Sequence, residues 1–263
     1  TSGSVGLLLI AGIWQFIMQS APSASARVLA RFFSPDTKPP SAKLLHFVRH
    51  AEGTHNVNKE YRLEANLDAR LTPLGLQQCN ELSLKTQEQN IELIVSSPLT
   101  RTLQTAQLSF PSQVAKGTPL VAEENVRETV NFLCDCRREV SLLRNDFPGV
   151  DFSRISSGVD PVWARYAEQF GSQDDFDGHR ESGDLPAIAD RATEALRFLA
   201  SCQETSIAVV SHNAFLTHMF NSDLGGIVEF GDDKVKSFLQ KPWQNCELRT
   251  VGVEISCRCL AAM

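Results

Sequence analysis

The chain has 263 residues, 42% of them apolar and 21% charged, enough for one sizeable α/β core with room for an appendage. The formal net charge of −6 argues against a broad nucleic-acid footprint, so an anionic ligand would need a local basic cluster. Seven scattered cysteines do not make a disulfide framework, and Cys134-x-Cys136 and Cys257-x-Cys259 are spaced more tightly than common zinc pairs, so they read as reduced thiols.

Residues 1–43 read as a targeting or anchor segment followed by a linker. Residues 5–18 (VGLLLIAGIWQFIM) are apolar apart from Gln15. The run is shorter than the roughly 20 residues that span a bilayer comfortably. Ala24-Ser25-Ala26 suits signal-peptide cleavage after Ala26. The acid-free, Arg- and Ser-bearing residues 27–34 equally suit an organellar transit peptide. A short anchor is the third reading, with Arg27, Arg31, Lys38 and Lys43 on the cytoplasmic side. Membrane contact is expected only through this segment, and the compartment stays open. Pro35, Pro39 and Pro40 mark the linker.

Residues 44–263 read as one domain. Residues 44–49 (LLHFVR) form a short buried strand. Thr72 and Pro73 open a helix, as N-cap and first helical residue, that runs to about Asn90. Residues 91–96 (IELIVS) are a second strand. Ser97-Pro98 opens the next helix, with Ser97 as cap, and residues 118–121 are a weak strand. Ile188, Ala192, Ala195, Leu196 and Leu199 fall on one face of a helix over 186–203. Residues 207–211 (IAVVS) are a third clear strand, followed by a short helix to Phe220. Residues 246–255 close as a strand, and residues 145–185 read as an irregular insertion over the site. Alternating strands and helices predict an α/β fold: a three-layer α/β/α sandwich around a mostly parallel central sheet.

Arg49 and His50 lie where the first of these strands ends. In open α/β sheets, ligands bind at the carboxyl ends of strands. His212 takes the same position after residues 207–211, and Arg101 lies inside the helix after Ser97-Pro98. Two histidines and two arginines thus share three strand–helix junctions. A phosphoryl group needs several donors around its oxygens, and arginine supplies a fixed, permanently charged fork.

The segments VRHAEGTHN, LTPLG, SSPLTRTLQTA, RET and VVSHNAF occur in the order seen in the histidine phosphatase superfamily, the phosphoglycerate mutase-like proteins. The resemblance covers about residues 44–255. It is close to a plant and fungal branch, through Cys134-Asp135-Cys136-Arg137-Arg138, Phe147-Pro148-Gly149-Val150-Asp151-Phe152 and Asn245-Cys246-Glu247-Leu248-Arg249. The resemblance implies that His50 attacks phosphorus to form a phosphohistidine. Arg49, Arg101 and His212 would hold the phosphoryl oxygens, and Asn56 would contact phosphate. Glu128 would protonate the leaving oxygen and then activate water. Arg137 and Arg138 would bind the substrate anion. No metal and no cofactor is implied.

The usual Gly after the first His is Ala51 here, and the usual Gly after the second is Asn213. His55 replaces a Trp of the mutases, whose longer segment is not visible in residues 57–70. The expected function is therefore metal-independent hydrolysis of a small phosphate ester. A mutase-type phosphotransfer and a catalytically silent phosphate-binding protein are the alternatives. The expected ligand is a small phosphorylated molecule, with no nucleic-acid partner. His46 and His218 read as packing residues, His179 as a solvated loop residue, and His55 as a contact at the pocket edge or none. Glu52 lies near His50 and reads equally as a surface charge, not as the acid.

Overall fold

The computed structural model describes residues 27–174, 180–181, 186–221 and 226–258. Seven strands form one sheet: β1 (Arg27–Phe33), β2 (Lys43–Arg49), β3 (Leu93–Ser96), β4 (Leu120–Ala122), β5 (Ser206–Ser211), β6 (Val228–Phe230) and β7 (Leu248–Arg258). Their order is β4-β3-β5-β2-β7-β1-β6. Only β7 runs against its neighbours, β2 and β1; the remaining pairings are parallel.

Helices α1 (Pro73–Thr86), α2 (Thr100–Ser109), α3 (Pro111–Ala115), α4 (Val140–Asp146), α5 (Pro161–Phe170), α6 (Pro186–Ser201), α7 (Asn213–Asn221) and α8 (Asp233–Gln240) fill the connections. Strand side chains alternate between the sheet's two faces. Leu45, Phe47, Val95, Ile207 and Val209 pack with Ile188, Leu196, Phe215, Leu216 and Leu239 of α6, α7 and α8. Val48, Ile94, Ala208 and Val210 pack on the other face with Leu82, Leu103, Ala106 and Leu143 of α1, α2 and α4. Two apolar layers on one sheet make the expected three-layer sandwich. Each fully buried aliphatic or aromatic side chain contributes roughly 1.5–3 kcal/mol.

Several expectations need correction. Residues 27–33 are not part of a linker or anchor: they form β1, between β7 and β6. Val28, Ala30 and Phe32 alternate into the core, and Phe32 meets Phe220 edge-on with ring centroids 5.3 Å apart. This period-two pattern is easily lost beside the long apolar run before it. The leader-type features at residues 5–18 and 24–26, His179 and Cys259 lie outside the described residues. Among the described residues no helix is long and apolar enough to cross a membrane. Residues 145–185 are partly regular, since α5 lies within them. The Phe147–Phe152 motif is structural: Phe147, Val150 and Phe152 are core residues, and Asp151 bridges to Val121 of β4. β6 and α8 had no clear signature.

Helix α2 begins at Thr100 rather than at Ser97. Its first turn is held from a distance by buried Asp68, which accepts from the Thr100 N–H at 2.7 Å and from the Thr100 hydroxyl at 2.6 Å. Ser97 is thereby released for another task. Helix α1 keeps the predicted start: Thr72 Oγ1 accepts from Gly75 N–H at 3.0 Å. The same hydroxyl donates to Glu52 Oε1 at 2.7 Å, so Glu52 ties the site loop to α1.

Candidate active site

Three parallel strands end side by side and deliver the central residues. The ladder between β2 and β5 continues one step beyond the strands, where His50 N–H donates to the Ser211 carbonyl at 2.9 Å. This brings the rings of His50 and His212 to 5.1 Å between centroids. Ser97 N–H likewise donates to Val210 O at 3.0 Å, which sets the turn after β3 and the start of α2 beside them. Both histidines and Arg101 are at most 2% exposed.

His50 is fixed in one tautomer. Its Nδ1 lies 2.7 Å from the Ala51 carbonyl, an acceptor only, so Nδ1 carries the proton. Nε2 keeps its lone pair. Burial, then Arg101, His55 and Arg49, push the His50 pKa well below the usual histidine value, which keeps the ring neutral. Burial, then Arg101, His50, His55 and Arg127, lower that of His212. The loop is fastened from behind. Ala51 N–H donates to Thr105 Oγ1 at 3.0 Å, and Asn245 Nδ2 and Cys246 N–H donate to the His50 carbonyl at 3.1 and 3.2 Å. That explains the terminal Asn-Cys motif. Ala51 is fully buried beside Leu71 and Cys79, so its methyl group fits where glycine is usual. Asn213 opens α7 without a positive φ, so its tolerance of unusual backbone angles is not used.

Each arginine is clamped at its far end. Arg49 Nη1 donates to Trp243 O at 2.6 Å. Arg101 Nη1 donates to Cys134 O at 2.6 Å, and its Nη2 to Asp135 Oδ1 at 3.1 Å. The buried Nε of each has no partner among the described residues. The same is true of His212 Nδ1, while its Nε2 meets Ser97 Oγ at 2.8 Å. A buried donor without an acceptor is costly. Several of them around His50 form a cradle suited to an anion, and they supply the basic cluster that the acidic chain requires.

Glu128 belongs to the same region. Its Oε1 accepts from Thr129 N–H at 2.9 Å and Phe215 N–H at 3.0 Å, and its Oε2 from Ala214 N–H at 3.3 Å. The carboxylate thus caps the first turn of α7, directly after His212. The Asn56 amide is partly engaged. Its Oδ1 accepts from Gly53 N–H at 3.0 Å, and its Nδ2 faces His55 Nε2 at 3.1 Å. His55 is buried, with its ring centroid 5.5 Å from that of His50.

Arg137 and Arg138 are not brought to the cradle. Arg137 Nε donates to Glu124 at 2.8 Å, and its two Nη atoms bind the carbonyls of Arg138, Ser157, Gly158 and Val159. Arg138 is tied to Asp68, Asp146 and Thr100. All three guanidinium nitrogens of Arg137 are consumed by holding loops together, whereas Arg138 spends Nε and Nη2 in this way and keeps a part-exposed side chain. Cys134, Asp135 and Arg127 of the same motif region are structural in a more useful way. Arg127 pairs with Asp160 through both nitrogens, at 2.8 and 2.7 Å, and also binds Asp135 O. His46 is buried between Thr250 and Ser206 hydroxyls, a core role as expected.

Sequence reasoning missed Ser97, Asp68 and Asp135. Ser97 carried the signal, a hydroxyl at a strand end beside the histidines, but it also suits a helix cap. The other two are acids whose roles depend on distant partners.

An α/β sandwich with Arg49, His50 and His212 at adjoining strand ends and Arg101 in the helix beside them has the form of a phosphoryl-transfer site. Comparisons with known proteins agree. Residues 45–132 match the family described as the histidine phosphatase superfamily, branch 1. An Arabidopsis thaliana phosphoglycerate mutase-like protein is 33% identical over 249 residues, covering 80% of this chain and 84% of that protein. A Schizosaccharomyces pombe protein named "Probable phosphatase" is 25% identical, covering 65% of this chain and 74% of its own length. The structure of an Escherichia coli K-12 protein, described as "a putative alpha-ribazole-5'-P phosphatase", shares the fold, with a TM-score of 0.50 at 16% identity over 84% of this chain and 98% of that one. The chain belongs to the histidine phosphatase superfamily, and it is an enzyme of the phosphatase or mutase type.

Proposed function

We propose that the protein is a metal-independent phosphomonoesterase acting on a small phosphorylated substrate through a phosphohistidine at His50. The observation that carries this reading is the Nδ1–Ala51 hydrogen bond, which leaves a neutral Nε2 lone pair among unpartnered donors. Nε2 forms the N–P bond as the P–O bond to the leaving group breaks, and Glu128 supplies the proton to the departing oxygen. Arg49, Arg101 and His212 balance the charge on the phosphoryl oxygens. Water then attacks phosphorus, gives its proton to Glu128, and the N–P bond breaks to free phosphate and neutral His50.

The test is phosphate release from a panel of small phosphate esters in EDTA, with trapping of acid-labile phosphoprotein. Release by the wild type and loss of both signals in His50→Ala is the expected result. Unchanged release by that variant would overturn the proposal. Transfer of the trapped phosphoryl group to an added acceptor in preference to water would select the mutase-type reading. Tight phosphate binding without turnover on any ester would select a silent binding role.

A further inference from the structure

His55 is buried beside His50, and the reaction above does not use it. Its surroundings define its protonation. Asn56 Oδ1 accepts from Gly53 N–H, so the other end of that amide, Nδ2, is a donor and points at His55 Nε2. A donor facing Nε2 makes that nitrogen the acceptor, and the single ring proton of the neutral form then sits on Nδ1. Burial, reinforced by Arg101 and then Arg49, lowers the His55 pKa to about 2, so the ring stays neutral. Nδ1 is buried and has no partner among the described residues. The charged and titratable groups around the ring are Arg49, Arg101, His50 and Tyr61. Gly53 fits this packing: a Cβ there would meet His55 Nδ1 and Cε1 at 2.7 Å.

We propose that His55 is a phosphoryl-binding residue, a neutral donor through Nδ1–H, and that Asn56 is a positioning residue that fixes its tautomer. The proposal rests on the phosphoryl site described above. It gives Asn56 a role through its neighbour, and the second N–H of Nδ2 stays available for a phosphate contact. A neutral donor adds a hydrogen bond to the phosphoryl oxygens without placing a further cation beside the nucleophile. The cradle would then combine two guanidiniums with the imidazole N–H of His55, beside the unpartnered Nδ1 of His212.

The experiment uses the whole chain with His55→Phe, which keeps a ring without a donor, and Asn56→Asp, nearly isosteric. Binding of orthovanadate and of inorganic phosphate is measured by calorimetry, alongside kcat and KM on an active ester. His55→Phe should weaken vanadate binding and lower kcat/KM by about 100-fold, the scale of losing one transition-state donor. Asn56→Asp should invert the local polarity, because a carboxylate draws the ring proton to Nε2. Nδ1 then donates only while the ring is protonated, so kcat/KM should acquire a fall with rising pH that the wild type lacks. The histidine 15N shifts would report the tautomer change directly. Folded His55→Phe with unchanged vanadate affinity would overturn the proposal, as would Asn56→Asp with the wild-type pH profile and tautomer. If the wild type binds vanadate and phosphate but turns nothing over, the hydrolytic reading fails while the binding comparison still decides the role of His55.

Discussion

Arg101 and Asp135 form a buried ion pair, Nη2 to Oδ1 at 3.1 Å, with both side chains almost fully enclosed. The pair turns the guanidinium so that its far edge is spent on Asp135 and Cys134 O while Nε is left over. Asp135 also accepts from the N–H groups of Asn131 and Phe132, which fixes it in turn. Burial pushes its carboxyl pKa up to about 6 despite Arg101. Asp135→Asn keeps the volume but sets an amide N–H against these donors. We expect kcat/KM on a phosphate ester to fall about 10- to 100-fold, roughly 1.4–2.7 kcal/mol of transition-state stabilisation. Steady-state kinetics beside a thermal melt would check it, and unchanged kinetics would refute a positioning role.

Arg127 and Asp160 have a different purpose. Their two-pronged pair is buried to within 3%, and Asp160 also caps α5 through the N–H groups of Val162 and Trp163. Asp160→Ala strands a buried cation and uncaps a helix. A loss of about 3–5 kcal/mol in urea unfolding is expected.

Arg137 lies outside the cradle, so Arg137→Met should lower stability without touching substrate affinity. It leaves four backbone carbonyls and Glu124 without their donor. The unfolding midpoint should drop, while KM stays within about twofold, since ground-state binding is unaffected. A large rise in KM with normal stability would restore Arg137 to the substrate.

Gly75 in the LTPLG motif is where α1 meets the loop that follows His50. A Cβ at this position would lie 2.2 Å from the Glu52 carbonyl oxygen, two residues after His50. Backbone cannot yield as a side-chain tip can. Gly75→Ala should therefore displace the loop and lower kcat by about 100-fold, the scale of a 1 Å misplacement. Wild-type kcat in this variant would contradict the packing described.

His46 gives a prediction in pH. Burial lowers its pKa from 6.5 to about 4 in the folded state. The unfolded chain therefore binds the proton first, and stability is lost as pH falls from about 6.5 towards 4. Between pH 7 and pH 5 the group should cost about 2 kcal/mol, 1.36 kcal/mol for each of roughly 1.5 pH units below the unfolded pKa. His50, His55 and His212 act in the same direction, so the comparison is with His46→Gln. Its stability should fall less steeply over this range, and an equal slope would refute the assignment.

The core strands and the candidate site residues were legible because each carries a local signature. Residues 44–49, 91–96 and 207–211 are short apolar runs, and a residue at the end of such a run is at the end of a strand. Thr72-Pro73 announces its helix because cap and first turn are chemically adjacent. The same local logic misplaced the start of α2: Ser97-Pro98 has the form of a cap, yet Asp68 caps the helix and Ser97 serves His212. Strand β1 was hidden because its alternation is short and its partner β7 lies more than 200 residues away in sequence.

By itself, the sequence determined that Arg49, His50, Arg101 and His212 would gather at adjoining strand ends, since strand and helix periodicity fix where each residue leaves the sheet. Which arginines remain open to a ligand was decided only by tertiary structure. Arg101 and Arg137 are the same residue type in neighbouring motifs, but Asp135 and Cys134 take one edge of the first, while Glu124 and four carbonyls take the whole of the second. The same holds for tautomers. A histidine in a sequence has two equivalent possibilities, and only the Ala51 carbonyl at His50 and the Asn56 amide at His55 choose between them. Hydrogen bonding is directional and short-ranged, so these choices exist only once the partners are in place.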